Sequence, residues 1–143
     1  MRTRASSARR GIAALAGVAA LLASALAASP PARACGHCVE DKVAATYDYG
    51  VVTRARAQGH RVYVFEVRGG VRADDAAARR AIASAVERAP GVDPGTVRVA
   101  LDPPAVSCAC APAGRPEARV PAAARPTLAA RGLALRYVTS VDR

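Results

Sequence analysis

Apolar and polar positions recur along this chain with several different periods, and each change of period marks a change of element. Residues 11–28 are almost wholly small and apolar, a run that approaches the roughly 18–20 residues needed to span a bilayer. Between Val39 and Gln58 the apolar positions Val39, Val43, Tyr47 and Val51 recur every fourth residue, which predicts one amphipathic helix. Glu40 and Asp41 fall in its first turn, where the positive end of the helix dipole favours acidic side chains. Gly59 and His60 end it. The segment 61–67 is a nearly continuous β-branched and aromatic run, which predicts a central strand covered on at least one face.

Gly69-Gly70 breaks that strand, and Asp74 or Asp75 caps a second helix to about Ala89 with Ala78, Ile82 and Val86 as its buried face. Pro90-Gly91 closes it. After the turn at Asp93-Pro94-Gly95, alternation of Val97, Val99 and Leu101 gives a strand, and Asp102-Pro103-Pro104 turns the chain into a further strand over 105–111. These two strands are expected to pair antiparallel. Farther on, Pro121 and Pro126 cannot both lie inside one regular helix, so a short helix is expected from about Pro121 or Pro126 to Arg131, with Val120, Ala124 and Leu128 facing inward. Gly132 ends it, and Leu133, Leu135 and Tyr137 alternate in the last strand. The resulting order is that of an α+β domain, one antiparallel sheet with both helices of residues 61–143 on one face, preceded by the amino-terminal amphipathic helix.

The first 34 residues have a separate character. Arg2, Arg4, Arg9 and Arg10 precede the apolar run, and Ala32-Arg33-Ala34 supplies small residues for a signal peptidase, so 1–34 reads as an export signal cut after Ala34 or, earlier, after Ala28 or near Ser29. Retention of residues 11–28 as a membrane anchor, or lipidation of the following cysteine, are the alternatives. Export implies the periplasm or its equivalent, and no membrane association once the signal is removed.

Five of the 21 basic residues and none of the 11 acidic ones lie in that signal, so the formal charge falls from +10 for the full chain to +5 after it. With no Trp and a single Phe there are few rings to stack bases, and no concentrated basic stripe, so a nucleic-acid partner is excluded. Residues 35–143 suffice for one domain with a modest core. They divide into a cysteine-bearing segment and helix, 35–60, and the sheet domain, 61–143.

The order of elements over 61–143, with Gly91-Val92-Asp93 through Asp102-Pro103 as its most suggestive stretch, resembles the ferredoxin-like heavy-metal-associated domain of copper chaperones, mercury-binding periplasmic proteins and metal-pumping ATPases. The resemblance implies a ferredoxin-like βαββαβ sandwich and a connection with metals. That family carries its metal-binding CxxC between first strand and first helix. Here residues 67–75 read Val-Arg-Gly-Gly-Val-Arg-Ala-Asp-Asp, without cysteine, so the family's ligands have no counterpart at that position.

Four cysteines carry the candidate chemistry. Cys35-Gly36-His37-Cys38 opens the segment after the signal, at a helix start where a thiolate is favoured as a soft ligand or a nucleophile. Two thiolates hold Cu(I) linearly, whereas structural Zn(II) takes four ligands; either ion is a candidate, with His37 as a third donor. The same tetrapeptide is similar to the active site of protein disulfide isomerases, although no strand leads into it as a thioredoxin fold requires. A plain Cys35–Cys38 disulfide is the structural alternative.

Cys108 and Cys110 lie two apart in a predicted strand and share a face with Val106. That face makes them either a ligand pair or apolar core, and Val106 favours the core. If the amino-terminal helix folded back, all four cysteines could meet as a four-thiolate site or as two disulfides. His60 is expected at a helix end, Asp74-Asp75 as capping residues, and Arg79-Arg80, Arg115 and Arg119 on solvated faces. No hydrolase, transferase or kinase constellation is found.

The expectation is therefore an exported soft-metal carrier or buffer, with Cys35, Cys38, His37, Cys108 and Cys110 as candidate ligands. Its partner would be a metal transporter or another metal-binding protein. A thiol-disulfide redox protein and a noncatalytic interaction module with structural cysteines are the rivals.

Overall fold

The structure, a computed structural model, describes residues 38–142. Cys35, His37 and the proposed signal, 1–34, lie outside the described residues. The elements run α1 (Val39–Thr46), α2 (Tyr49–Ala57), β1 (Arg61–Arg68), α3 (Ala76–Glu87), β2 (Arg98–Leu101), β3 (Pro104–Cys110), α4 (Pro116–Ala129) and β4 (Ala134–Val141). The four strands form one antiparallel sheet in the order β2-β3-β1-β4. This is an α+β arrangement compatible with a ferredoxin-like plan. None of the described helices is long and apolar enough to cross a membrane.

Alternation along the strands sorts their side chains into two layers. Tyr63, Phe65 and Val67 of β1 join Val106, Cys108 and Cys110 of β3, and α3 and α4 cover them with Ile82, Val86, Val120, Ala124 and Leu128. Phe65, Ile82, Val86 and Leu128 are fully buried, each stabilising the fold by about 1.5–3 kcal/mol relative to exposure. The opposite face is also covered. Val62 and Ala109 pack against Val51, Val52 and Ala55 of α2, so six consecutive residues of β1 are buried.

The single helix expected over 39–58 is two. Asp48, in extended conformation, accepts a hydrogen bond from the Val51 amide at 3.0 Å and caps α2. A side-chain acceptor at an N-cap satisfies a donor that continued helix would leave to the backbone, and here it breaks the chain at Tyr47-Asp48. The break also changes which face is inside. Val39 and Tyr47 are exposed, while Lys42 and Thr46, one turn apart, are buried. The apolar stripe from Val39 to Val51 therefore does not describe α1.

The carboxy-terminal helix is longer than expected, and it contains both Pro121 and Pro126. Each proline removes one backbone hydrogen bond. Pro126 and Ala122, whose carbonyl it leaves without an amide donor, are both exposed, so water can serve that group. Val120, Ala124 and Leu128 are all fully buried, and their contacts with the sheet outweigh the interrupted ladder. Pro116 occupies the first turn, where its missing N–H has no intrahelical acceptor to lose.

Candidate functional site

Cys38 is the N-cap of α1, with extended backbone (φ −66°, ψ 154°) and an exposed side chain. Glu40 and Asp41 follow in the first turn. The arrangement sets an exposed cysteine at the N-terminus of a short helix whose first turn is acidic.

What fixes α1 is polar. The Thr46 hydroxyl donates to the Lys42 carbonyl at 3.0 Å, and the Ser107 hydroxyl on β3 donates to the Thr46 carbonyl at 3.1 Å. Lys42 Nζ lies 3.5 Å from Glu66 Oε1 in the central strand. Glu66 also accepts from Arg136 Nε at 2.7 Å and Arg68 Nε at 3.2 Å. Desolvation pushes its carboxyl up, but these two hydrogen bonds and the Lys42 charge more than offset it and hold it at about 2. The only lysine in the chain thus ties the cysteine-bearing helix to the sheet. A lone buried-face lysine one turn from Thr46 was the available sequence signal, masked by the stronger apolar stripe.

Cys108 and Cys110 face the α3–α4 core, both at 0% exposure, with sulfurs 3.9 Å apart. Tyr63 stands opposite Cys108 and Arg61 opposite Cys110 in the β1–β3 register. The contact with Cys110, and burial, push the Cys108 thiol far up; the same contact, with the Arg119 guanidinium, pulls Cys110 down. Arg119, expected on a solvated face, is half-buried. Its Nε is buried without a hydrogen-bond partner among the described residues, and its Nη1 donates to the Ala113 carbonyl at 3.4 Å.

The two described parts of the cysteine set are not brought together. α1 docks through Ser107, whose side chain points to the opposite face from Cys108 and Cys110. Cys38 and the Cys108–Cys110 pair therefore belong to different layers. Of the three described cysteines, Cys38 does not join the other two, because the period of two that pairs Cys108 with Cys110 also turns both away from the helix. Among the described residues no group of three or more His, Cys, Asp or Glu side chains is placed to hold a metal ion.

His60 Nδ1 lies 2.7 Å from Asp93 Oδ2, linking the α2–β1 junction to the turn before β2. Asp75 caps α3 by accepting from the Ala78 amide at 2.8 Å, and Asp74 pairs with Arg72, so neither acts with the other as a carboxylate dyad. A cavity of about 10 Å³ between α1–α2 and the sheet has room for one water. An open groove of about 300 Å³ runs between α4 and β4. Neither is lined by cysteine or histidine. Comparisons with protein-family models, curated proteins and solved structures find no match to this chain.

Proposed function

We propose that this protein binds a soft metal ion, of the Cu(I) type, through Cys35 and Cys38, and carries or buffers it after export to the periplasm. The observation that carries this reading is the position of Cys38: exposed, at the N-cap of a helix that the sheet anchors through Lys42 and Ser107. A thiol there can be approached by another protein's ligands. Ligand exchange, in which an incoming thiolate displaces one of two sulfurs before the ion is free, then transfers the metal without releasing it. His37 is the third donor.

Residues 61–143 are a ferredoxin-like domain of the heavy-metal-associated type, supported by the strand order β2-β3-β1-β4 and by α3 and α4 sharing one face. In this chain the ligands have moved from the first strand–helix loop to the segment before the domain. The loop between β1 and α3 instead holds an exposed Arg72–Asp74 pair. A metal transporter or a second metal-binding protein is the fitting partner.

The test is a Cu(I) and Zn(II) titration of the full chain carrying Cys108→Ala/Cys110→Ala, followed by thiolate-to-metal absorption. One Cu(I) bound, and lost on adding Cys35→Ser/Cys38→Ser, supports the reading. Absence of metal, with catalysed thiol-disulfide exchange on a reduced client, would replace it by the redox alternative. Absence of both would leave a noncatalytic module with structural cysteines.

A further inference from the structure

The buried pair in β3 is unusual for a core of small apolar residues. Cα atoms two apart in a strand are separated by about 6.8 Å, yet the sulfurs of Cys108 and Cys110 are only 3.9 Å apart. The two side chains therefore lean toward each other. Both are free thiols, and a Cα separation of about 6.8 Å lies at the outer limit of what a disulfide bridges.

Near it stands a guanidinium for which no ion pair is found among the described residues. The Arg119 guanidinium lies against Gly91 and Gly114, where any side chain would collide with its Nη atoms. Its buried Nε has no acceptor among the described residues, and Gly91, against which it lies, precedes Val92, the bridge partner of Cys110. The carboxylate whose charge also reaches the pair, Asp93, is engaged by His60. A buried donor left without an acceptor is costly.

We propose that Cys108 and Cys110 form a second soft-metal site, a buried two-thiolate centre for one monovalent ion whose net negative charge Arg119 balances. Two thiolates and one monovalent ion sum to one negative charge, which the guanidinium matches; a divalent ion would leave Arg119 uncompensated and lack its further ligands. At metal–sulfur bonds of about 2.3 Å, a linear ion needs sulfurs about 4.6 Å apart. Outward rotation of both side chains, which now lean inward, supplies the difference. Binding breaks two S–H bonds, sends both protons to water and forms two metal–sulfur bonds, with no electron exchanged. Entry is from the end of β3, where Cys110 adjoins the exposed segment 112–115.

This site stands independently of the amino-terminal one, and the experiment separates them. The full chain with Cys35→Ser/Cys38→Ser is offered Cu(I) from bathocuproine disulfonate, and Ag(I) separately, with native mass spectra recording stoichiometry. One bound ion is expected. Adding Cys110→Ala should abolish it, and adding Arg119→Gln instead should weaken it about tenfold while circular dichroism shows the fold intact. No ion on the Cys35→Ser/Cys38→Ser chain would overturn the proposal. So would an ion retained after Cys110→Ala, or an affinity unchanged by Arg119→Gln; this last arm decides the matter if Cys110→Ala does not fold.

Discussion

Replacing Glu66 by Gln tests how the cysteine-bearing helix is held. Glu66 is 9% exposed, in the middle of the central strand, and it faces Lys42 of α1, Arg136 of β4 and its strand neighbour Arg68. Its carboxyl titrates at about 2 in the fold against an ordinary value of 4.5. At 1.36 kcal/mol per pH unit the gap corresponds to about 3 kcal/mol. Arg68 and Arg136 are 59% and 55% exposed, so water screens their share and about 2 kcal/mol is the better expectation.

The folded pKa is depressed, so this stability is fully present above pH 4.5 and is lost as pH falls from there through about 2. Urea denaturation followed by circular dichroism, from about pH 6 to pH 2.5, should show the wild type losing about 2 kcal/mol more than Glu66→Gln. Asp48, whose carboxyl is also held low by the Val51 amide and Arg98, is common to both chains and cancels in the difference. Amides of α1 should exchange faster in the variant. Parallel pH profiles for the two proteins would refute this account of the anchor.

Other perturbations follow from single contacts. Leu128→Ala should cost about 2–5 kcal/mol by opening a cavity under α4, and urea denaturation at pH 7 would measure it. Pro126→Ala should raise stability by about 1–3 kcal/mol, since the new amide can donate to the exposed Ala122 carbonyl; an unchanged thermal midpoint would contradict the helix as described. Asp75→Ala should cost about 1 kcal/mol through loss of the α3 cap, read from the same denaturation curves. Ser107→Ala should cost about 1 kcal/mol and speed hydrogen exchange in α1 more than in α3.

The sheet domain was legible because its signals are local and mutually consistent. The run from Arg61 to Val67, the Asp75 cap and the inward set Val120, Ala124 and Leu128 each point to one element and one face, and those elements are found. Two errors came from weighing one principle alone. Helix disruption by Pro121 and Pro126 was outweighed by burial of the opposite face of α4. The fourfold stripe from Val39 to Val51 ignored the capping strength of Asp48 and the pull of Glu66, a distant partner, on Lys42. The same limit applies to the thiols. Spacing put Cys108 and Cys110 on one face with Val106, but only the fold puts that face away from α1. Arg119, expected on a solvated face, is half-buried because its guanidinium lies against Gly91 and Gly114, two glycines far from one another in sequence.

The central claim, a soft-metal site at Cys35 and Cys38, is tested most directly by native mass spectra of the full chain, reduced, with Cu(I) present. These would be compared with spectra of Cys35→Ser/Cys38→Ser and of Cys108→Ala/Cys110→Ala. The account predicts that the Cys108→Ala/Cys110→Ala chain keeps one ion and that further removal of Cys35 and Cys38 leaves none. A Cys108→Ala/Cys110→Ala chain that binds no ion while its thiols are reduced and its fold is intact would contradict it.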